Sequence, residues 1–171
     1  MRFLRGDGVV ATGRDRVIAM IGAAVGLYVG SFAIAIVSGI IPIVNAELYL
    51  IGLVLALGSV PEALVLGVLI AAGQMIGKGV LFQTARGASL LGEARRPKLA
   101  ARLAHARTKL ARWQSKPYSV TFVSAAVGLP PLYLVTLLAG VLNIRFRAFL
   151  LVGFAGRTLR FGTIGVVTAL A

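Results

Sequence analysis

Residues 17–37 form one uninterrupted apolar run with no charged side chain. As a helix rising about 1.5 Å per residue, such a run covers the roughly 30 Å hydrocarbon core of a bilayer. A chain of 171 residues has no core large enough to enclose it together with the later apolar runs. Composition agrees. The chain is 58% hydrophobic and 13% charged, with mean hydropathy +0.93, whereas soluble domains run near 45–50% apolar and about 25% charged. A soluble globular domain, a disordered chain and a disulfide scaffold are thereby excluded. With no Cys there is no disulfide, no thiolate nucleophile and no Cys-ligated metal. The expected class is an all-α integral membrane protein in a single membrane domain, because helices satisfy their own backbone in lipid.

Charge sets the expected orientation. Arg2, Arg5, Arg14 and Arg16 precede the first apolar run, and nine more basic residues lie between Arg86 and Lys116, opposed only by Glu93. Basic flanks of apolar segments mark cytoplasmic loops. The N-terminus (1–16) and the basic segment are therefore both expected on the cytoplasmic side. The net charge of +13 does not point to nucleic acid, since Trp113 stands alone where a base-stacking surface needs several aromatics.

The first run, 17–38, reads as a retained transmembrane helix. A cleaved signal peptide also places basic residues before an apolar core, but this run is too long and no small-x-small site comes after it. Gly22, Gly26 and Gly30 share one face at four-residue spacing, which suits close helix approach. Residues 40–60 are apolar but interrupted by Pro42 and Asn45, and the stretch beyond Asn45 is too short to cross. A re-entrant hairpin is expected, with its tip near 42–45. Ser59-Val-Pro-Glu62 has the form of a capping box opening a second span, 61–86. In 93–116, Leu99, Leu103, Ala106, Leu110 and Trp113 fall on one stripe, with Arg95, Arg96, Arg102, Arg107 and Arg112 among the residues filling the rest. This reads as a basic amphipathic helix on the inner leaflet, with anionic headgroups as counter-charge. A solvated linker helix is the alternative. Residues 118–143 place two short apolar stretches around Pro130 and Pro131, a second expected re-entrant hairpin, before a final span, 146–170.

Hairpin plus span thus occurs twice, around the basic segment. If the basic segment and N-terminus are inside, the first hairpin enters from outside and the second from inside. The halves are then inverted repeats, a plan that places transport sites at the midplane. Full crossing of each hairpin is the competing reading.

Ionisable residues inside apolar segments are the candidate site. Glu47 lies just past the first tip, where it either serves function or caps the half-helix beginning there. Arg157 and Arg160 share a face of the last span, with Arg157 about 15 Å in. An arginine at that depth needs a carboxylate, backbone carbonyls or an anionic ligand. Lys78 could nearly snorkel, and Glu62 is explained by its capping box. Guanidinium groups fit phosphate oxygens bidentately. Two arginines with hairpin N-termini would make an intramembrane phosphate pocket, filled by Glu47 when empty and freed by its protonation. No cofactor is expected. The one His, His105, lies in the basic segment, so neither a metal site nor an intramembrane hydrolase is expected.

These residues carry a resemblance. Pro42-Ile-Val-Asn-Ala-Glu47-Leu-Tyr-Leu resembles the Pro…Glu hairpin motif of the DedA/VTT (SNARE-associated) membrane protein family, especially its small YqaA-like bacterial branch. Gly73-Gln-Met-Ile-Gly77 with Ala85-Arg86 is similar to its Gly-rich span, and Leu138-Ala-Gly140 to its second hairpin. Gly156-Arg157-Thr-Leu-Arg160-Phe161 is similar to its Gly-Arg/Lys-x-x-Arg-Phe/Tyr signature. The resemblance covers roughly 38–170. It implies a multi-pass protein of the bacterial inner membrane with two inverted re-entrant hairpins. It also implies lipid handling, including flipping of polyprenyl phosphates or phospholipids, and proton-dependent transport. Glu47, Arg157 and Arg160 would take the family's acidic and basic roles. Leu132-Tyr133 stand where relatives can carry a Gly-Asp pair. The expected function is a transporter or lipid translocase acting on membrane lipids. The alternative is a non-transporting adaptor that binds anionic lipid or a partner through the basic helix. Self-association is the other partner expectation.

Overall fold

The computed structural model describes residues 13–42, 44–57, 59–95 and 116–171. These residues form six helices and no strand: α1 Gly13–Ile40, α2 Ala46–Leu57, α3 Val60–Arg95, α4 Pro117–Val127, α5 Leu132–Val141 and α6 Phe146–Leu170. By length and composition α1, α3 and α6 are long and apolar enough to cross a membrane, whereas α2, α4 and α5 are short apolar helices of 12, 11 and 10 residues. Residues 1–12 and 96–115 lie outside the described residues, and with them most of the expected basic amphipathic helix. Its first residues, 93–95, continue α3.

Polarity is arranged inside out. Met20, Leu48, Leu55, Leu151 and Leu170 are exposed, while Ser31, Ser38, Gln74, Lys78, Thr121, Ser124 and Thr136 are buried. Water would penalise such a surface; lipid would not. Several of these buried hydroxyls are satisfied by carbonyls of their own helix, as lipid favours. Ser31 donates to Leu27 O at 2.7 Å, Thr136 to Leu132 O at 2.7 Å and Thr121 to Pro117 O at 2.8 Å.

Glycine contacts fix the helix directions. A Cβ on Gly73 would sit 2.7 Å from Ala35 Cβ, and one on Gly39 would sit 2.5 Å from Gln74 O and 3.0 Å from Gly77 Cα. Residue numbers therefore rise together along α1 and α3, and the two run parallel. Along α3 and α6 they run opposite ways, with Gly67 beside Phe161 and Gly79 beside Phe146 and Leu150. The helices α4 and α6 are parallel, with Thr121 near Gly153 and Ala125 against Gly156. The helix α5 runs along α3, from Tyr133 beside Lys78 to Gly140 against Phe82 O, and α2 packs chiefly on α6.

Two expectations are corrected by this packing. The positive-inside reading makes 17–38 run counter to α3, ahead of a hairpin at 40–60 with two legs of its own. Instead α1 is continuous to Ile40 and runs with α3, and 40–60 holds only one helix, α2. Pro42 follows the end of α1 and stops it, so the helix before the turn is α1 itself. Its start and the start of α3 consequently lie at one end of the molecule. The end of α3 and the starts of α4 and α6 lie at the other. The N-terminal side of α1 and the chain leaving α3 toward the basic segment are thus at opposite ends. The second correction concerns glycines: a Cβ on Gly22, Gly26 or Gly30 would meet nothing within 4 Å among the described residues, and the close seam is made by Gly39, Gly73 and Gly77.

Two of the interhelix turns fall beside the middle of a long helix. Gly39, just before the turn at 41–45, sits on Gly77 of α3, and Ala125, just before the turn at 128–131, sits on Gly156 of α6. The two turns face each other across α3 and α6.

Candidate functional site

Between the two turns lies a cavity of about 370 Å³. From the first turn and α2 it is lined by Pro42, Asn45 and Glu47; from α3 by Gln74 and Lys78; from the second turn and α5 by Gly128, Pro131 and Tyr133; and from α6 by Arg157 and Arg160. Larger hollows exist, such as a groove of about 750 Å³ lined by Met75, Gly79, Phe146 and Leu150, but its walls are almost wholly apolar. The smaller cavity is where the charged side chains converge.

Local structure explains each position. Asn45 caps α2: its Oδ1 accepts from the backbone N–H of Glu47 at 3.0 Å and of Leu48 at 3.3 Å. Glu47 therefore stands in the first turn of α2, where a carboxylate is favoured, and its side chain reaches α6. Arg160 Nη2 lies 2.8 Å from Glu47 Oε1 and donates to Oε2 at 2.9 Å. Arg157 Nη1 is farther, at 3.8 Å from Oε1, beyond hydrogen-bond length. The side chains are 30% exposed for Glu47, 21% for Arg160 and 13% for Arg157. The Nε atoms of both arginines are buried with no hydrogen-bond partner among the described residues. Arg157 also stacks over Phe161, 5.6 Å from the ring centroid.

The second turn is shaped around Arg160. Gly128 caps α4 with φ +92°, and a Cβ there would collide with the Arg160 guanidinium. Only glycine meets both demands. Ser124 donates to Pro130 O at 2.5 Å across this turn, and the Leu129–Pro130 peptide is cis. Arg160 thus touches the first turn through Glu47 and the second through Gly128.

Lys78, buried in α3, places its ammonium 5.2 Å from the Tyr133 ring centroid. Three cations and one carboxylate hence border one cavity. An arrangement with donor groups in excess of acceptors suits an anion with several oxygens.

Of the candidate residues, Glu47, Lys78, Arg157, Arg160, Pro42, Asn45 and Pro131 line the cavity. Glu62 does not. It is half-buried at the start of α3, where its carboxylate accepts from Ser59 Oγ at 2.8 Å and its N–H donates to that Oγ at 3.3 Å. Pro130 shapes the second turn without lining the cavity. Arg95 is the last residue of α3, and Arg96, Arg102, Arg107, Arg112 and Trp113 lie outside the described residues. Sequence reasoning misses Ser38, Gln74, Gly128 and Tyr133 as site residues. For Gln74 a signal exists: it stands four residues before Lys78, on the same face of a span otherwise poor in polar side chains.

Fold and surface together define a helical membrane protein with three candidate spans. Comparison with family models, curated proteins and solved structures returns no match.

Proposed function

We propose that this chain is a membrane transporter or lipid translocase that holds a phosphate-bearing lipid group in the cavity between Glu47, Arg157 and Arg160. The observation carrying this reading is the charge imbalance at one place. Lys78, Arg157 and Arg160 oppose Glu47 alone among the described residues lining the cavity, beside the middles of two candidate spans. Cations at such depth are costly unless paired, and a phosphate supplies the missing negative charge in a shape guanidinium groups match. Glu47 holds Arg160 when no phosphate is present, and protonation of Glu47 releases it, which couples transport to protons.

The turns at 41–45 and 128–131 are then the tips of two re-entrant hairpins. One is formed by α1 and α2 and enters from one face; the other is formed by α4 and α5 and enters from the opposite face. With α3 and α6 they make two inverted repeats. Support comes from the paired packing of α1 on α3 and α4 on α6, with each turn at mid-helix. Non-helical backbone at membrane depth is tolerated where it lines such a cavity. The plan agrees with the resemblance to the DedA/VTT family and its setting in the bacterial inner membrane. The basic segment, the larger of the two basic blocks, faces the cytoplasm, and the start of α1 therefore faces the other side.

Reconstitution tests this. Vesicles with the full chain and a fluorescent phosphate-bearing lipid are assayed for flipping by the wild type, Glu47→Gln and Arg157→Gln. Flipping is expected to fall at least tenfold in both variants. Unchanged flipping in variants that remain monodisperse overturns the proposal. The adaptor alternative expects the reverse: neutral changes at Arg102, Arg107 and Arg112 would abolish function while the cavity variants stay silent.

A further inference from the structure

The α3 wall of the cavity carries a polar group that anion binding does not use. Gln74 is 6% exposed and lines the cavity. Its Nε2 donates to Ser38 Oγ at 3.0 Å, and the Ser38 hydroxyl spends its one proton on Ala35 O at 2.8 Å. Ser38 must therefore accept from Gln74. That fixes which end of the amide points where. The other end, Oε1, is buried and has no hydrogen-bond partner among the described residues. A buried acceptor of this kind is costly unless something donates to it.

We infer that this wall is a second subsite, in which Gln74 Oε1 accepts a hydrogen bond from a hydroxyl on the anionic group that Arg157 and Arg160 hold. The inference rests on the anion-binding reading above and narrows it. The donor must be neutral. Lys78 lies one turn further along the same face of α3, and the two arginines border the same space, so an ammonium would meet three cations with the one carboxylate already bound to Arg160. A group that is anionic and also carries an O–H satisfies both walls at once. Two sources offer that chemistry: the P–OH of a terminal phosphate, and an alcohol on a polyol headgroup.

The test uses the full chain in phosphatidylcholine nanodiscs, with bound lipid read by native mass spectrometry. Three anionic probes compete: phosphatidic acid, phosphatidylglycerol and phosphatidylmethanol, the last an anionic diester without a hydroxyl. At least one hydroxyl-bearing probe is expected to outcompete phosphatidylmethanol about tenfold. Preference for phosphatidic acid assigns the donor to the phosphate, and preference for phosphatidylglycerol assigns it to the polyol. Gln74→Leu should erase the preference without lowering phosphatidylmethanol occupancy, and Gln74→Glu, which keeps an acceptor, should retain it. Ser38→Ala leaves Gln74 in place but frees its amide to turn over, so the preference should fall there as well. Equal occupancy of all three probes in the wild type overturns the inference, as does an equal loss of all three in Gln74→Leu. If anionic lipid binds but ignores Arg157→Gln and Arg160→Gln, the anion-binding reading fails and takes the second subsite with it.

Discussion

At the residue scale the cavity is held by unequal partners. Arg160 makes a short, doubly engaged contact with Glu47 at 2.8 and 2.9 Å, whereas Arg157 stands off at 3.8 Å. The Glu47–Arg160 pair should therefore carry most of the coupling. A double-mutant cycle on Glu47→Gln and Arg160→Gln, read by thermal or denaturant unfolding in detergent, should give about 1–3 kcal/mol. The range is set below that of fully buried pairs because both side chains are partly exposed. The matching cycle with Arg157→Gln should give less than half of it. Equal coupling in both cycles would contradict the geometry. The candidacy of these three residues is legible in the sequence, since ionisable groups in apolar runs need partners. Which arginine takes the carboxylate is not. That depends on how α2 is set against α6, and on a turn whose Gly128 leaves room for one guanidinium.

At the scale of helices the deciding contacts are backbone on backbone. A Cβ on Gly77 would press into Ile36 O and lie 2.9 Å from Gly39 Cα, where nothing can rotate away. Gly77→Ala should cost about 1–3 kcal/mol by overpacking. Gly26→Ala, on a face with nothing within 4 Å among the described residues, should be neutral or slightly stabilising through helix propensity. Melting temperatures of the two variants in one detergent compare them directly, and an equal loss would mean that α1 does not lie on α3 as described. Sequence spacing finds both glycine series but cannot rank them. Periodicity says which residues share a face, not which face meets a neighbour. The same limit explains the reading of 17–38. Length and polarity mark a helix able to cross, while direction comes from tertiary packing alone.

For the whole molecule, the parallel course of α1 and α3 makes a claim about sidedness. The start of α1 and the start of α3 share one end, and the start of α6 lies at the other. The chain contains no cysteine, so single replacements can be labelled without removing any background. In sealed vesicles of one orientation, Arg14→Cys and Ser59→Cys should react with a membrane-impermeant maleimide from the same face. Arg145→Cys should react only from the opposite face. Labelling of Arg14→Cys together with Arg145→Cys would restore α1 as a separate crossing, as the basic N-terminal residues alone would have it. Charge statistics describe how chains are inserted on average; the seam between α1 and α3 fixes the direction of one helix relative to the other.

The glycine seams also divide the molecule mechanically. Tight contacts lock α1 and α5 onto α3 through Gly39, Gly73, Gly77 and Gly140, and lock α4 onto α6 through Gly156. The helix α2 rides on α6. Because the two groups alternate along the chain, every connection between consecutive helices passes from one group to the other, and the turns at 41–45 and 128–131 are the two that border the cavity. Any sliding of one group past the other loads all of these connections, and at the two bordering the cavity it is passed to Glu47 and Gly128, the residues on either side of Arg160.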